Sequence, residues 1–353
     1  MSRCMVSLLV GPHSTNLGAI TMTTRLTRRA LLSLTAAGTA LALTACGGNV
    51  GGSAAESSFP SGPVTLTVGQ AAGGSTDLIA RATADGMKDS LGVAVPVVNK
   101  PGANGALATQ EVAQMEPDGQ NLILLNASLI TITPLAVSEE EAVSLDDLDV
   151  LMGLSQDDYV MVASKDSGLK SLDDIKSSGK SLNFGTTGVG TGSQLAQELL
   201  LAQADIEGTM VPFDSGSPAL TAVMGNQVQV STVQLGEAKP QIDAGTVTPI
   251  VIFSKERNEY LPDVPTAIES GYEVPVSQYR AVAAPKGLDE ETKTKLVDSI
   301  KEAVGTEAYA DFNEKNMLTA NEITGEEVVA EWNDLAAKYK ELTEEHGISL
   351  ATK

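Results

Sequence analysis

The sequence has few residues of the kinds that build metal centres, disulfide frameworks and catalytic triads. It contains two cysteines and two histidines in 353 residues, and Cys4 and His13 both lie in the first 45. Only Cys46 and His346 remain in the rest of the chain. A Cys/His zinc cluster needs several such ligands, and a Ser-His-Asp triad needs a well-placed histidine. We therefore expect no metal site and no cofactor.

Basic side chains are also scarce. The first 45 residues hold four arginines and no acidic residue, so the remaining 308 residues carry 19 basic and 45 acidic side chains and a net charge near −26. Proteins that bind the phosphate backbone of nucleic acids have clusters of Lys and Arg on their surface. The acidic balance excludes nucleic acid as a partner and is typical of a solvated, soluble surface.

Three of these arginines, Arg25, Arg28 and Arg29, directly precede an apolar stretch. Residues 24–46 (TRLTRRALLSLTAAGTALALTAC) run from basic residues through a 14-residue apolar stretch to small residues that end in Cys46. This is the order of an export signal, and the apolar stretch is shorter than the about 20 residues of a spanning helix. The final LTAC resembles a lipoprotein signal-peptidase site. Residues 1–45 are therefore predicted to be a lipoprotein-type export signal, with Cys46 lipidated after cleavage.

The same region also bears on location. Met22 precedes a conventional leader and is a candidate for the true start, and TRRALL at 27–32 resembles a twin-arginine signal, so both general and twin-arginine export stay open. Residues 46–58 are small and polar and predict a flexible tether. We expect an exported protein, lipid-anchored to the outer face of the cytoplasmic membrane or in the periplasm.

Short apolar runs with strand character alternate with helical runs after residue 58. Residues 64–69 (VTLTVG) alternate apolar and polar side chains, Leu195 and Leu199 share a helical face, and Thr324 with Glu327 forms a capping box. The other predicted strands lie at residues 93–98, 122–126, 159–163, 182–185, 210–213, 228–233, 249–253 and 281–284. This alternation predicts an α/β fold with largely parallel sheets, and about 300 residues favour two lobes.

Two glycine-rich loops each follow a predicted strand and precede a predicted helix, at 71–77 (AAGGSTD) and 185–193 (GTTGVGTGS). Glycines let a ligand approach the backbone, and the first N–H groups of a helix carry partial positive charge. The loops predict an anion site, although either one is also compatible with an ordinary turn. Neither matches the dinucleotide fingerprint or a P-loop, so phosphate chemistry is not indicated.

Four further candidates lie outside these glycines. Asn126-Ala127-Ser128 ends a predicted strand, where ligands of open α/β sheets collect, and Asp214 precedes a predicted helix. Asp77 either contacts a ligand or is a first-turn carboxylate favoured by its own helix dipole. Arg280 is either an anchor for an anion or an ion-pair partner between lobes. No pair of carboxylates has a spacing that indicates hydrolysis, so we expect a protein that is not an enzyme.

Seven segments, in order along the chain, carry a family resemblance. They are VTLTVGQAAGGSTDLIAR (64–81), VNKPGANGALATQEVAQMEPDGQNLIL (98–124), NFGTTGVGTGSQLAQELL (183–200), VPFDSGSPALTAVMGNQVQV (211–230), EAKPQIDAGTV (237–247), SKERNEYLPDVPTAIESGY (254–272) and YRAVAAPKGL (279–288). Together they resemble the Bug family, the extracytoplasmic solute-binding receptors of tripartite tricarboxylate transporters.

The resemblance implies a two-lobed periplasmic-binding-protein fold with a ligand cleft between the lobes. Lobe 1 would comprise residues 59–160 and 281–353, and lobe 2 residues 161–280, with crossovers near 154–162 and 276–284. Members of the family hold carboxylates through backbone amides and waters at strand-to-helix turns. The ligand-binding residues carried over are Ala72, Gly73, Gly74, Ser75, Thr76, Asp77, Asn126, Ala127, Ser128, Thr186, Thr187 and Gly188.

The chain departs from the family pattern at a few positions. Gln194 stands where the family often has His, Asp214 follows Phe213 where an aromatic is often followed by Lys or a small residue, and Tyr279-Arg280 replaces a frequent Trp-Arg. Asp214, Tyr279 and Arg280 are kept as site candidates.

The resemblance implies a receptor that captures a small organic acid, a di- or tricarboxylate, and delivers it to a membrane permease of the tripartite tricarboxylate type. Two alternatives stay open: a carboxylate-sensing protein that works with a signalling partner, and a secreted α/β enzyme.

A Cys46→Ala substitution tests the predicted anchor. We expect the variant to move from the membrane to the soluble fraction, because the lipidated Cys46 is the predicted attachment. Cell fractionation with immunodetection measures this, and membrane retention of the variant would contradict a lipoprotein.

Overall fold

The computed structural model describes residues 59–179 and 181–351. The predicted export signal, the predicted lipidation site Cys46 and the predicted tether lie outside these residues. None of the helices in the described ranges is both long and apolar enough to span a membrane.

The described residues form an α/β structure. The strands are β1 (Thr65–Val68), β2 (Val97–Asn99), β3 (Asn121–Asn126), β4 (Leu148–Ser164), β5 (Leu182–Thr186), β6 (Gly208–Pro212), β7 (Val230–Gln234), β8 (Val247–Ile252), β9 (Ser277–Pro285) and β10 (Thr319–Ala320). The helices are α1 (Ser75–Leu91), α2 (Ala106–Ala113), α3 (Ala127–Thr131), α4 (Leu172–Ser177), α5 (Gly192–Ala204), α6 (Gly216–Met224), α7 (Leu235–Asp243), α8 (Glu290–Val304), α9 (Glu307–Lys315) and α10 (Gly325–Glu345).

The strands are arranged as two half-sheets that share β4. The first half of β4 pairs with β9 and β10, and β9 leads on through β3 and β1 to β2, which forms the first half-sheet. The second half of β4 pairs with β7 and β8, and β7 leads through β5 to β6, which forms the second half-sheet. The outer strands β1, β2, β3 and β5, β6, β7 are parallel within each half-sheet, whereas β4 and β9 are antiparallel to their neighbours.

The shared strand explains where the predicted crossovers fall. Residues 154–162 lie inside β4, which at 17 residues is about three times the usual strand length. Residues 276–284 overlap β9, which pairs with β4 from Leu148 to Asp158. The chain therefore passes into the second half-sheet along β4. It returns to the first half-sheet where β9 begins, since Val276 packs in the core of the second half-sheet and β9 pairs in the first.

Each half-sheet has its own hydrophobic core, and α10 contributes to both. Leu66 and Met87 are fully buried on the first half-sheet, and Phe184 is fully buried on the second. In α10, Trp332 packs with the residues of the first half-sheet, while Tyr339 packs with those of the second. The predicted capping box of Thr324 and Glu327 is present at the start of this helix.

A buried ion pair joins β4 to β9 beside the start of α1. Arg280 Nη1 on β9 lies 3.1 Å from Asp157 Oδ1 on β4, and both side chains are almost completely buried. Arg280 Nε donates to Thr76 Oγ1 at 3.1 Å, and Ser75 Oγ donates to Asp157 Oδ2 at 2.8 Å. Burial raises the pKa of the Asp157 carboxyl, and the charge of Arg280 opposes that shift. The pair thus fixes the first turn of α1 against the two connecting strands.

An Arg280→Met variant should lower the free energy of unfolding by about 3–5 kcal/mol, because it leaves the Asp157 carboxylate buried without its cation. Urea denaturation followed by circular dichroism measures this. The matched control is Arg257→Met, which breaks the exposed pair with Glu269 and should cost below about 1 kcal/mol. Adding Asp157→Asn to Arg280→Met should recover part of the loss. Equal effects of the two Arg→Met substitutions would contradict this role of the buried pair.

Candidate functional site

The carboxyl ends of strands from both half-sheets face a polar cavity. The residues around it come from the starts of α1 and α6, the ends of β3 and β7, the loop between β5 and α5, and α7. The cavity, called here the deep cavity, is lined by Gln70, Gly74, Ser75, Thr76, Asn104, Asn126, Thr187, Thr191, Ser215, Gly216, Gln234, Glu237 and Gln278. Its volume is about 30 Å³, which has room for about two water molecules.

A larger outer cavity of about 440 Å³ lies next to it. Gln70, Asn104 and Thr187 line both cavities, so the two are neighbouring parts of one cleft. Gly188 and Asp214 line the outer cavity only.

The first glycine loop leaves the start of α1 open to the deep cavity. Gly74 is the N-cap of α1 and its position provides no side-chain hydrogen bond to the first turn. Gly73 has φ of +86°, a left-handed conformation that favours glycine, and its N–H donates to Asp77 Oδ2 at 2.9 Å. The α1 N-terminus is therefore an uncapped site of partial positive charge.

The carboxylate of Asp77 makes hydrogen bonds within the protein, to the first glycine loop and to two neighbouring side chains. Besides the N–H of Gly73, it accepts hydrogen bonds from Arg81 at 3.0 Å and from Asn99 at 2.9 Å. Burial raises the pKa of Asp77, but these donors outweigh burial and hold that pKa below its ordinary value. Of the two interpretations offered by the sequence, the observed contacts are those of a first-turn carboxylate.

In the second glycine loop, backbone N–H groups donate hydrogen bonds to side chains at the start of α5. The N–H of Thr187 donates to Ser193 Oγ at 2.8 Å, and the N–H of Gly190 donates to Gln194 Oε1 at 2.8 Å. Thr191 caps α5 by accepting from the N–H of Gln194. Fewer backbone donors of this loop are thus available to a ligand than at the start of α1.

Asn104 holds the loops of the two half-sheets together. Its Nδ2 donates to Ser128 Oγ at 3.0 Å and to the carbonyl oxygen of Gly190 at 3.2 Å. Ser128 in turn accepts from Gln278 Nε2 at 3.0 Å. These contacts close one side of the deep cavity with a continuous hydrogen-bond network.

Glu237 of α7 lies between the starts of two helices. Its Oε1 accepts the N–H of Ser75, the first residue of α1, at 2.7 Å. Its Oε2 approaches Gly216, the first residue of α6, so closely that a Cβ at residue 216 would lie 1.5 Å from that oxygen. Like α1, α6 has no side-chain cap. One carboxylate of the chain therefore interacts with two positive helix ends.

The second oxygen of Glu237 is enclosed and has no hydrogen-bond partner among the residues that the structure describes. Burial raises the pKa of Glu237 to about 7. Gln70 Oε1, Ser215 Oγ and Gln234 Oε1 are likewise enclosed and unpartnered within the described ranges, and all three residues line the deep cavity. The deep cavity thus combines positive helix ends with unsatisfied oxygen atoms.

The structure brings together about half of the residues predicted from the sequence. Those that line the deep or the outer cavity are Gly74, Ser75, Thr76, Asn126, Thr187, Gly188 and Asp214. Those that line neither cavity are Ala72, Gly73, Asp77, Ala127, Ser128, Thr186, Tyr279 and Arg280. Of these, Ser128 and Arg280 support cavity residues through hydrogen bonds to Asn104 and Thr76.

Several lining residues were not singled out by sequence reasoning, above all Asn104, Gln234, Glu237 and Gln278. Gln234 follows directly on the predicted strand at 228–233, so the rule that ligands collect at strand ends could have identified it. Glu237 lies three residues further along, inside α7. Gln278 lies inside a strand, and no motif marks it. No group of three or more His, Cys, Asp or Glu side chains in the described residues is placed to hold a metal ion.

Comparison with known proteins identifies the family of the chain. Residues 79–348 match the family described as the tripartite tricarboxylate transporter family receptor. Protein BugT of Bordetella pertussis is 30% identical over 263 residues, which cover 72% of this chain and 79% of BugT.

Solved structures are similar across the described fold. The periplasmic binding protein BugD superposes with a TM-score of 0.77 at 26% identity, over 83% of this chain and all of BugD. MatC of Rhodopseudomonas palustris, solved with bound malate, superposes with a TM-score of 0.75 at 27% identity, over 80% of this chain and 99% of MatC. The chain therefore belongs to the tripartite tricarboxylate transporter receptor family and has the two-lobed α/β fold of its periplasmic solute-binding proteins.

Proposed function

We propose that the protein captures a small di- or tricarboxylate in the cleft formed by the deep and outer cavities and delivers it to a membrane permease of the tripartite tricarboxylate type. One observation carries this proposal: the uncapped start of α1 opens into the cleft and already donates a hydrogen bond to a carboxylate, that of Glu237, at 2.7 Å. MatC, a related structure, holds malate, a dicarboxylate. The proposed anchor at Cys46 would keep the receptor beside its permease.

The strongly acidic chain does not prevent such binding. At about 0.15 M salt the screening length is about 8 Å, so the nearest donors matter more than distant surface charge. A helix N-terminus contributes about 0.3–1 kcal/mol and each hydrogen bond to a charged group about 1.5–3 kcal/mol. Three or four such bonds reach the about 8 kcal/mol of a micromolar complex.

The volumes indicate that the cleft changes shape on binding. The deep cavity of about 30 Å³ has room for about two water molecules, whereas the outer cavity of about 440 Å³ accommodates a small organic acid. A ligand carboxylate at the start of α1 requires the walls of the deep cavity to separate. We infer that lobe 1 (59–160 and 281–353) and lobe 2 (161–280) move relative to each other by a hinge motion about β4 and β9, opening to admit the ligand and closing around it.

A ligand screen with one cleft variant tests the function. The mature wild-type chain should bind at least one of malate, succinate and citrate, and should not bind glucose. Thr187→Asp should abolish that binding, because it places a like charge where both cavities meet. Thermal shift followed by calorimetry measures both results.

Glu140→Lys is the control, since Glu140 is exposed and lines neither cavity. It should leave the affinity nearly unchanged. Failure of every carboxylate to bind the wild type, or unchanged affinity in Thr187→Asp, would contradict the proposed function.

A further inference from the structure

Glu237 already occupies part of the position at which the proposed ligand would bind. Its Oε1 takes the N–H of Ser75, while Thr76 and Asn126 remain as neighbouring groups of the deep cavity. A ligand carboxylate that binds the first turn of α1 therefore lies in direct contact with the carboxyl group of Glu237. Two ionised carboxylates at such a distance repel strongly, and one of them retains a proton.

Among the residues that the structure describes, no second unpaired cation faces Glu237 to compensate two negative charges. The charged groups that face Glu237 are Asp157 on β4 and Arg280 on β9. Arg280 is committed to Asp157 and Thr76. The helix α6 and the strands β7 and β8, which also pack against α7, contain no charged residue. On α1, Asp77 and Arg81 near the first turn are paired with each other.

The geometry of Glu237 suits a protonated carboxyl group. Oε1 keeps the hydrogen bond from Ser75 in either protonation state, and the enclosed Oε2 is free to carry a proton. A proton on Oε2 turns that oxygen from an acceptor without a partner into a donor to a ligand carboxylate. Consistent with this, burial raises the pKa of Glu237 to about 7, so the proton exchanges near neutral pH.

We propose that Glu237 must be protonated when a ligand carboxylate is bound, so that the receptor takes up one proton from solvent with each ligand. This inference rests on the proposed function. The proton moves from solvent to Oε2 of Glu237 and stays there as a hydrogen-bond donor to the ligand, and no covalent bond to the ligand forms. Glu237 is then a specificity-determining residue, because it accepts a carboxylate only together with a proton.

Calorimetry of succinate binding in buffers of different ionisation enthalpy counts the protons. Succinate lacks a hydroxyl or ammonium group and is fully ionised at pH 7 to 9. For the wild type, uptake should be about 0.5 proton at pH 7 and about 0.9 at pH 8, and the affinity should fall about 50-fold from pH 7 to pH 9. The sign follows because binding needs the protonated form, which is lost as the pH rises through 7.

Glu237→Gln imitates the protonated carboxyl group, so it should bind succinate with no proton uptake and with an affinity independent of pH. The matched control is Asp243→Asn, which removes an exposed carboxylate from the same helix and should behave as the wild type. The number of protons taken up by the wild type is measured without any variant, so it tests the proposal even if Glu237→Gln folds poorly.

Three results would overturn the proposal. If the wild type binds succinate without taking up a proton, the proposed protonation of Glu237 is wrong, but the proposed function still stands. Uptake that persists in Glu237→Gln assigns the proton to another group, such as Asp157. Binding of L-aspartate without proton uptake, tighter than that of succinate and weakened in Glu237→Gln, shows that an ionised Glu237 receives an ammonium group instead. Absence of binding by malate, succinate and citrate alike overturns the proposed function itself.

Discussion

The buried pair of Arg280 and Asp157 sets the geometry on which the cleft depends. A charge inside a protein is tolerated only with a partner, so the two side chains hold β9 and β4 in one register at the point where the half-sheets meet. The same groups bind Ser75 and Thr76, the first residues of α1. The donor end of α1 is therefore positioned by the core of the protein, and the glycines before it only allow the chain to reach that place.

The two glycine loops look alike in the sequence but differ in what they present to the cleft. The first leads to a helix whose start lacks a side-chain cap and whose leading N–H meets a carboxylate from another element. In the second, Ser193 and Gln194 accept the N–H groups of Thr187 and Gly190. In the proposed site the two loops would therefore have different roles: α1 would supply backbone donors, whereas the loop before α5 supplies part of the cavity wall and contacts Asn104.

The sequence alone predicted most of the strands and the helices that follow the two glycine loops, because these elements are encoded locally. The strand β10 was not predicted, and the expectation of largely parallel sheets was wrong for β4 and β9, which are antiparallel to their neighbours. The predicted strands at 122–126 and 182–185 correspond to β3 and β5, and the glycine loops join strand to helix as expected. The full length of β4 was not predicted, since its two halves pair with different strands and only the tertiary fold joins them. Glu237 and Asp157 were missed for the same reason: their contacts with Ser75 and Arg280 span 162 and 123 residues of sequence.

The packing of α10 has a mechanical consequence for the receptor. Trp332 is anchored among the residues of the first half-sheet and Tyr339 among those of the second, seven positions and about 10 Å along one helix. With β4 and β9, this helix is a third connection between the halves, and a helix of this length resists bending. The lobe motion proposed above would therefore be a rotation about an axis close to residues 332–339. In that motion the rim of the cleft furthest from α10 would travel the greatest distance, and the proposed permease would distinguish the loaded receptor from the empty one there.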